Sequence, residues 1–359
     1  MSGARLLACA VIAAGLAACG GSGDDVPARM VPTMTISLSH SDLVFDAARQ
    51  RLYAVSSDLK NPAKIVSVDT TSGQVRDLVT PADPPPYSPI FPQQGTLSLS
   101  AHARYLYFAT QSGAVSRVDL ASGAVDLSLP APPAMNAKVA AVAASRTDDV
   151  AAYVQLRPND LDPDAIGMLR NSQWGTQWTR VPPPVTSNSA PTLAVRDDDA
   201  ELLSSFAGLN RVRVTAAGPD VVLATAAIAS SLWGVDVPQY VSAGILAQCG
   251  IYDATTLAPR FPLPDASVCG VLPSRSRVVC ASSATEEGHS LYVFDLTTRN
   301  FVTSWLAGFE TGTVFVQLPP LRITSLGGGR VAVSYGSSSK AAGHYGPTSI
   351  AIYSDAAFN

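Results

Sequence analysis

The sequence predicts an all-β fold, and three features of the chain carry this prediction. Short apolar runs typical of strands fill the chain from residue 33 onward, with almost no periodicity of 3.6 residues. These runs recur in groups of four that are separated by turn residues. The last group is one run short, and one spare run precedes the first group. Together they indicate a seven-bladed β-propeller of four-stranded antiparallel blades, whose last blade is closed by the N-terminal strand.

The repeating unit has an apolar run, a Tyr- and Val-rich run, a third run that ends in Asp, and a fourth run after a tight turn. Its clearest copies are residues 51–79, 105–129 and 277–305. The second runs begin near Leu52, Tyr105, Val150, Leu202, Tyr240, Val278 and Val331. Their spacings of about 53, 45, 52, 38, 38 and 53 residues are close to those of propeller blades.

An Asp at the end of the third run predicts a specific turn. Its carboxylate is placed to accept hydrogen bonds from the backbone two residues further on, and a following Gly supplies positive φ. The positions that fit this pattern are Asp69 with Gly73, Asp119 with Gly123, Asp295 and, more weakly, Asp253.

The two ends of the chain predict how the ring closes. The final unit supplies only three runs, LRITSL, RVAVSYG and TSIAIYS, whereas the run TMTISL at residues 33–38 precedes the first complete unit. If this run becomes the fourth strand of the last blade, two exposed sheet edges disappear.

The first 18 residues have the order of a secretory signal, with Arg5 before an apolar run that is too short to span a bilayer. The residues from Leu16 to Cys19 resemble the lipobox of bacterial lipoproteins. This resemblance implies removal of residues 1–18 and attachment of a diacylglyceryl group to Cys19. Gly20, rather than Asp, follows the cysteine, which by the same resemblance implies anchoring to the outer membrane, facing the periplasm. Residues 19–32, rich in Gly, Ser, Asp and Pro, are predicted to form a lipidated flexible tether, and residues 33–359 the propeller.

Composition excludes several classes of function. Hydrophobic residues make up 47% of the chain and charged residues 14%, so the chain is not disordered. The net charge of −4 and the absence of a basic cluster argue against nucleic acid as a partner. The lipid is therefore the expected contact with the membrane.

Five cysteines are present, of which Cys9 lies in the signal and Cys19 is the lipid site. Counting outward from the turn at residues 273–276 places Cys269 opposite Cys280 on adjacent antiparallel strands, where a disulfide can form. Cys249, in the preceding blade, is the competing partner.

The predicted long connections indicate where a ligand binds. On this strand assignment, they all join second to third strands or one blade to the next, and these two kinds of connection emerge on the same side of the ring. They comprise residues 57–63, 81–94, 158–165, 285–290 and 337–348. Long loops on a rigid scaffold are typical of binding surfaces, although tolerated insertions explain them equally well. We call this side the long-loop face; its candidate binding residues are Asp58, Tyr87, Phe91, Asp162, Glu286, His289, His344 and Tyr345.

No motif indicates catalysis or a resident metal. The pattern of Asp160, Asp162 and Asp164 lacks the Gly and Glu of a calcium loop and predicts a solvated turn. His289 and His344 are predicted to be solvated loop residues. We expect neither a catalytic residue nor a metal site, and no cofactor.

Over nearly all of the predicted mature chain, the repeats resemble β-propellers of the quinoprotein-like and YVTN-repeat kind, with a WD-like blade pattern. Quinoprotein enzymes carry recurrent Trp signatures between blades, and Trp174, Trp178, Trp233 and Trp305 show no such repeat. Because this sequence departs from the family's Trp pattern, we expect no quinone cofactor.

Two functions follow from this organisation. The first is a membrane-anchored envelope lipoprotein whose propeller is a non-catalytic binding or scaffolding module, contacting an envelope protein or a glycan through the long-loop face. The alternative is a propeller-type metal-dependent hydrolase, lactonase or lyase with its site at the central channel. Asp58, Asp83, Asp162 and Glu286 are the acids available to it. Three or more convergent carboxylates or histidines at the channel mouth would favour the enzyme.

Overall fold

The computed structural model describes residues 28–57, 61–87, 95–158, 163–181, 191–205, 208–227, 237–264, 266–282, 289–307, 309–311, 314–316, 320–336 and 347–359. These residues form seven sheets arranged as the blades of a propeller, each with four antiparallel strands, and one of them has a fifth strand added in parallel. The predicted fold class is confirmed. Within the described residues, no helix has both the length and the apolar character needed to cross a membrane.

The blades follow one another along the chain, and in each the first strand is innermost. The strands of blades 1 to 4 are β3 (His40–Asp46), β4 (Arg51–Ser56), β5 (Lys64–Asp69), β6 (Val75–Val79); β7 (Leu97–Leu99), β8 (Tyr105–Ala109), β9 (Ala114–Asp119), β10 (Ala124–Pro130); β11 (Lys138–Ala144), β12 (Ala151–Arg157), β13 (Ala165–Arg170), β14 (Gln173–Arg180); β15 (Thr192–Val195), β16 (Glu201–Ser205), β17 (Leu209–Thr215) and β18 (Gly218–Ala226).

Blades 5 to 7 include the two N-terminal strands. Their strands are β19 (Gln239–Val241), β20 (Gly244–Ala247), β21 (Gly250–Tyr252), β22 (Pro259–Pro262); β23 (Ala266–Val271), β24 (Arg277–Ser282), β25 (His289–Asp295), β26 (Asn300–Ala307) with β1 (Arg29–Met30); and β29 (Pro320–Gly327), β30 (Arg330–Gly336), β31 (Pro347–Ser354) with β2 (Met34–Ser37). A hairpin of β27 (Phe309–Thr311) and β28 (Val314–Val316) lies between blades 6 and 7.

The ring closes as predicted. Strand β2 pairs antiparallel with β31, from Met34 opposite Ile352 to Ser37 opposite Ser349, and is the outermost strand of blade 7. Ile36 is 4% exposed and lies in a hydrophobic cluster that includes residues of blades 1 and 7.

Burial follows the position of a strand in its blade. Every residue of β8 is buried, because both faces of a middle strand pack against neighbouring blades, whereas β6 at the outer edge has exposed and half-buried residues only. Middle strands therefore read as continuous apolar runs. The hydrophobic clusters lie between adjacent blades and hold the ring together.

Six of the seven predicted second strands lie within about two residues of their expected start. The prediction for blade 5 is wrong, because Tyr240 lies in the first strand, β19, and the second strand is β20. The turn between them is only two residues long, and Gly244 enters β20 with φ of 138°. Because the turn is so short, the apolar runs of β19 and β20 are not separated by a recognisable turn sequence.

The predicted Asp turns form in all four copies. Asp69 accepts hydrogen bonds from the backbone N–H groups of Thr71 and Ser72, both at 2.9 Å, and Asp119, Asp253 and Asp295 make the same two contacts. These hydrogen bonds lower the pKa of each carboxyl. The position of positive φ is Gly in the first two copies and Leu257 or Arg299 in the others, which is why the last two are harder to recognise.

Blade 6 contains a disulfide between Cys269 and Cys280. These residues are directly opposite in the register of β23 and β24, which is the pairing that counting from the turn indicates. Cys249, the competing partner, stays outside this bond and is buried in the same hydrophobic cluster.

The end of the predicted tether is part of the fold. Arg29 and Met30 form β1, which pairs in parallel with the end of β26, and Met30 is 8% exposed. A flexible tether over the whole of residues 19–32 is therefore wrong for this end. Cys19 and the predicted signal at 1–18 lie outside the described residues.

Candidate binding groove

The long-loop face is only partly described. Six of the candidate binding residues lie outside the described residues, namely Asp58, Phe91, Asp162, Glu286, His344 and Tyr345. Of the others, Tyr87 is half-buried, and burial raises the pKa of its hydroxyl. His289 has a different environment from the one predicted.

His289 is not a solvated loop residue. It begins strand β25, is 3% exposed, and its Nε2 lies 3.0 Å from the hydroxyl of Tyr335, which in turn lies 2.8 Å from that of Tyr353. Burial lowers the pKa of His289 to about 4. Strand β25 begins at His289, inside the predicted loop 285–290, so the imidazole lies within the packed interface of blades 6 and 7.

This burial predicts a pH dependence of stability. The unfolded chain takes up a proton on His289 near pH 6.5, whereas the folded chain does so only near pH 4. The contribution of His289 to the free energy of unfolding is therefore fully present above pH 6.5. It is lost as the pH falls toward 4, by at most about 1.4 kcal/mol per pH unit. In urea unfolding between pH 7.5 and 4.5, the free energy of unfolding should fall less with decreasing pH in His289→Gln than in the wild type. Gln74→Ala, which changes an exposed side chain that does not titrate, is the control and should keep the wild-type slope.

Asp164 is also buried, which corrects the prediction of a solvated turn at this position. It is 1% exposed and accepts a hydrogen bond of 2.6 Å from Nε2 of Gln155. Its carboxylate lies 3.7 Å from Nε of Arg157. Burial raises the pKa of Asp164, although Gln155 and Arg157 oppose the shift.

A central channel with a volume of about 600 Å³ runs between the innermost strands of the seven blades. Its wall is largely apolar, with Val44, Leu97, Val142 and Leu193 among the lining residues. The described lining holds one carboxylate, Asp197, and this is paired with Arg275 at 2.6 Å. The remaining charged side chains of that lining are Arg146 and Arg322.

Carboxylates do not converge elsewhere in the described part of the chain. There, no group of three or more His, Cys, Asp and Glu side chains is close enough to hold a metal ion. Asp83, one of the acids available to a metal enzyme, is bound by the backbone and the hydroxyl of Ser112. Partial burial alone would raise the pKa of Asp83, but hydrogen bonds from Ser112 and Thr110 lower it.

Three adjoining cavities form a groove on the long-loop face, over blades 1 to 3. The first and second share Ser57, Asn61, Pro62 and Thr80, and the second and third share Gln111. Their volumes are about 540, 670 and 700 Å³. Each is of the size of a typical small-ligand site, and together they suit an extended ligand. We call these three cavities the groove.

The loop that forms the middle of the groove is fixed by blade 2. The carbonyl of Pro84 accepts a hydrogen bond of 2.7 Å from the backbone of Gln111, and Asp83 binds Ser112. These contacts hold the described residues 81–87, including Tyr87, against the turn between β8 and β9. The groove is therefore preformed, which lowers the entropy cost of binding.

The lining of the groove is polar but mostly uncharged. In the middle cavity the described side chains comprise hydroxyls, amides, Tyr87 and four prolines, without a charged residue. In the first cavity, Lys64 and Asp77 neutralise each other at 2.7 Å. The third cavity differs, because Lys138 and Arg157 line it.

The groove includes residues of two of the predicted long loops, 57–63 and 81–94, but the candidate binding residues did not include Asn61, Gln111, Lys138 or Arg157. These four residues come from three different blades, and each stands alone in the sequence. Only Arg157 could have been suspected from the sequence, because it is a charged residue at the end of an apolar second strand, immediately before a predicted long loop.

Known proteins resemble this chain in structure only. The sequence matches no family model and no curated protein. The fold is similar to the β-propeller domain of Cps50 (Swd1) from Myceliophteria thermophila, with a TM-score of 0.60 and 15% identity. The match covers 90% of this chain and 99% of that domain. At this identity the similarity shows the propeller fold and leaves the ligand open.

Proposed function

We propose that this protein is a lipid-anchored lipoprotein of the bacterial cell envelope whose propeller binds a glycan, without catalysis, in the groove of its long-loop face. The anchor is the lipid on Cys19, and the outer membrane facing the periplasm is its location. The fold is compatible with such a binding or scaffolding module.

One observation carries the binding role. The groove joins three cavities on the face where the long loops gather, and its described lining offers hydroxyls and amides in place of convergent carboxylates. Side-chain hydroxyls and amides both donate and accept hydrogen bonds, and therefore match the hydroxyls of a sugar. The channel wall, with Asp197 as the one carboxylate in its described lining, offers less support to the metal-enzyme alternative.

Of the two partner classes, the lining favours the glycan over a protein. Prolines at positions 62, 81, 84, 85, 86, 158 and 191 form much of the wall. Proline has no N–H, so these residues cannot donate the main-chain hydrogen bonds by which an extended peptide adds to a sheet. Their stiffness also keeps the groove in shape.

The test is binding of oligosaccharides released from the envelope polysaccharides, measured by calorimetry on the soluble chain that begins at residue 28. We expect binding that weakens by about tenfold in Asn61→Ala/Gln111→Ala, because two hydrogen-bonding amides leave the groove. Gln74→Ala, which changes an exposed amide in a turn on the opposite face, should bind as the wild type does. Equal affinity of the groove variant and the wild type would contradict the proposal.

A further inference from the structure

Blade 6 is the blade at which the described chain begins. Residues 1–27 precede the described residues, and the chain then enters the ring through β1, at the outer edge of β26. We propose that this outer edge of blade 6 contacts the phospholipid surface of the membrane in which the protein is anchored, so that the ring stands with this edge toward the bilayer. The inference rests on the lipid anchor of the proposed function and adds a membrane-contact surface to it.

The start of the described chain is fixed at this edge. The backbone N–H of Leu306 donates a hydrogen bond of 3.1 Å to the carbonyl of Ala28, and Arg29 lies opposite Leu306 in the parallel pair. Cys19, the proposed lipid site, precedes Ala28 by nine residues, which extend over about 30 Å at most. The far side of the ring lies more than about 30 Å away, since two four-stranded blades alone cover that distance at 4.7–4.9 Å between strands. A lipid on Cys19 therefore holds the edge of blade 6 nearest to the bilayer.

The three most exposed large hydrophobic side chains of the described residues lie at the same edge. They are Val31, which follows β1 and is 61% exposed, and Phe301 and Val302 of β26, which are 55% and 42% exposed. Val31 lies beyond the end of β26 that pairs with β1, and Phe301 lies near the other end, so that they bracket the strand. Apolar side chains on a surface that a lipid holds against a bilayer are placed to enter its interface.

A β-bulge exposes Phe301 and Val302 together. Val302 has no residue opposite it in β25, because the pairing of the two strands shifts at this point. A regular strand turns successive side chains to opposite faces, whereas here two consecutive apolar side chains are exposed. The ring of Phe301 is held by those of Tyr292 and Phe294, whose centres lie 5.2 and 5.6 Å away. The apolar pair is therefore a fixed part of the blade.

A cation lies beside the apolar pair. Arg299 is exposed, and its guanidinium carbon lies 4.7 Å from the centre of the ring of Phe261, in the outer strand of blade 5. Arg299 forms no ion pair with another described residue. The acids at the neighbouring turns are paired with other arginines, Asp295 with Arg277 and Asp253 with Arg260. At a membrane interface, the stem of an arginine covers apolar surface while its head group reaches the anionic phosphates.

This orientation leaves the groove accessible. Blades 2 and 3 lie across a seven-bladed ring from blade 6, and the groove lies over blades 1 to 3. With the edge of blade 6 on the bilayer, the groove lies on the side of the ring that is remote from the membrane. A glycan polymer that is not part of the same membrane can therefore reach it.

The test places a polarity-sensitive dye at two positions of the lipidated protein, bound to vesicles of phosphatidylethanolamine with about one quarter phosphatidylglycerol. One dye is attached to Ser304→Cys, an exposed position of β26, and the other to Thr176→Cys, an exposed position of the outer strand of blade 3. Cys249 is buried and stays unlabelled. On addition of vesicles, we expect the emission of the dye at position 304 to rise about threefold and shift to the blue, because it enters the interface. The dye at position 176 should not respond.

Variants of the apolar pair test its part in the contact. Phe301→Ser/Val302→Ser should abolish most of the rise at position 304. Val302→Ser alone, which keeps the aromatic packing of Phe301, should reduce the rise by about half. The matched control is Val221→Ser/Leu223→Ser, which changes two apolar side chains of similar exposure on the outer strand of blade 4 and should leave the rise as it is.

The outcomes separate the contact from the anchor. Equal responses of the two dyes, or no response at position 304 while the protein stays on the vesicles, overturn the contact by blade 6 and leave the anchor. A rise that neither Val302→Ser nor the double variant changes also overturns the contact. Cys19→Ser should no longer sediment with the vesicles, and sedimentation as complete as that of the wild type overturns the lipid anchor of the proposed function. A wild type that does not stay on the vesicles overturns both.

Discussion

Replacing Asp42 by alanine is expected to lower the free energy of unfolding by about 3–5 kcal/mol, because the change removes one partner of a buried ion pair and leaves several donors unsatisfied. Asp42 is 2% exposed, in the innermost strand of blade 1. One carboxylate oxygen accepts hydrogen bonds from the backbone N–H groups of Thr96 at 2.8 Å and Leu97 at 2.9 Å. Leu97 begins the innermost strand of blade 2, and Thr96 directly precedes it. The other carboxylate oxygen lies 2.5 Å from the guanidinium of Arg322 in blade 7.

Asp42 thus connects three consecutive blades at the point where the ring closes. Urea unfolding at neutral pH measures the effect, and Asp42→Asn should also destabilise the protein because its amide N–H₂ cannot accept these hydrogen bonds. The matched control is Asp77→Ala, which breaks the exposed pair with Lys64 and should cost less than about 1 kcal/mol. A loss of less than 1 kcal/mol in Asp42→Ala as well would show that the carboxylate does not join the blades in solution.

The sequence was sufficient for the fold because propeller blades depend on local signals. Runs of strand length, turn Asp residues such as Asp69 and Asp119, and positive-φ glycines such as Gly73 are all readable within a few residues. The predicted start of the second strand in blade 5 was wrong because it depends on the same local signals. The two-residue turn before Gly244 is too short to separate two apolar runs in the sequence.

The site was less predictable because its residues meet only across blades. Arg157 and Lys138 lie 19 positions apart and share a cavity because β11 and β12 are paired strands. The burial of Asp164 depends on Gln155, and that of His289 on Tyr335, contacts that no local pattern reports. Loop length indicated the face on which the groove lies, whereas the side chains that line the groove required the three-dimensional arrangement.

Strand β2, which closes the ring, is where we expect the second large effect of a substitution on stability. In β2, burial alternates: Ile36 is 4% exposed and packs between blades 7 and 1, while its neighbour Thr35 is exposed. Both residues belong to the same ladder with β31, opposite Ile350 and Ala351. The two positions therefore separate the packing of the strand from its backbone pairing.

We expect Ile36→Asp to lower the free energy of unfolding by about 4 kcal/mol or more, since it removes a buried Ile and places an unpaired charge in the core. This is a large part of the total stability of a typical domain, so the ring should open and expose the edges of blade 7. Thr35→Asp, one position away on the exposed side, should cost less than about 1 kcal/mol.

Urea unfolding followed by tryptophan fluorescence measures both variants, and amide hydrogen exchange locates the change. In Ile36→Asp, protection should be lost first in β31, the partner of β2, and in β29 and β30 of the same blade. Trp305, packed 5.3 Å from the ring of Phe358 at the junction of blades 6 and 7, reports this opening. Loss of protection that begins in a distant blade such as blade 4 would contradict closure by β2, because the ring would then be held together elsewhere.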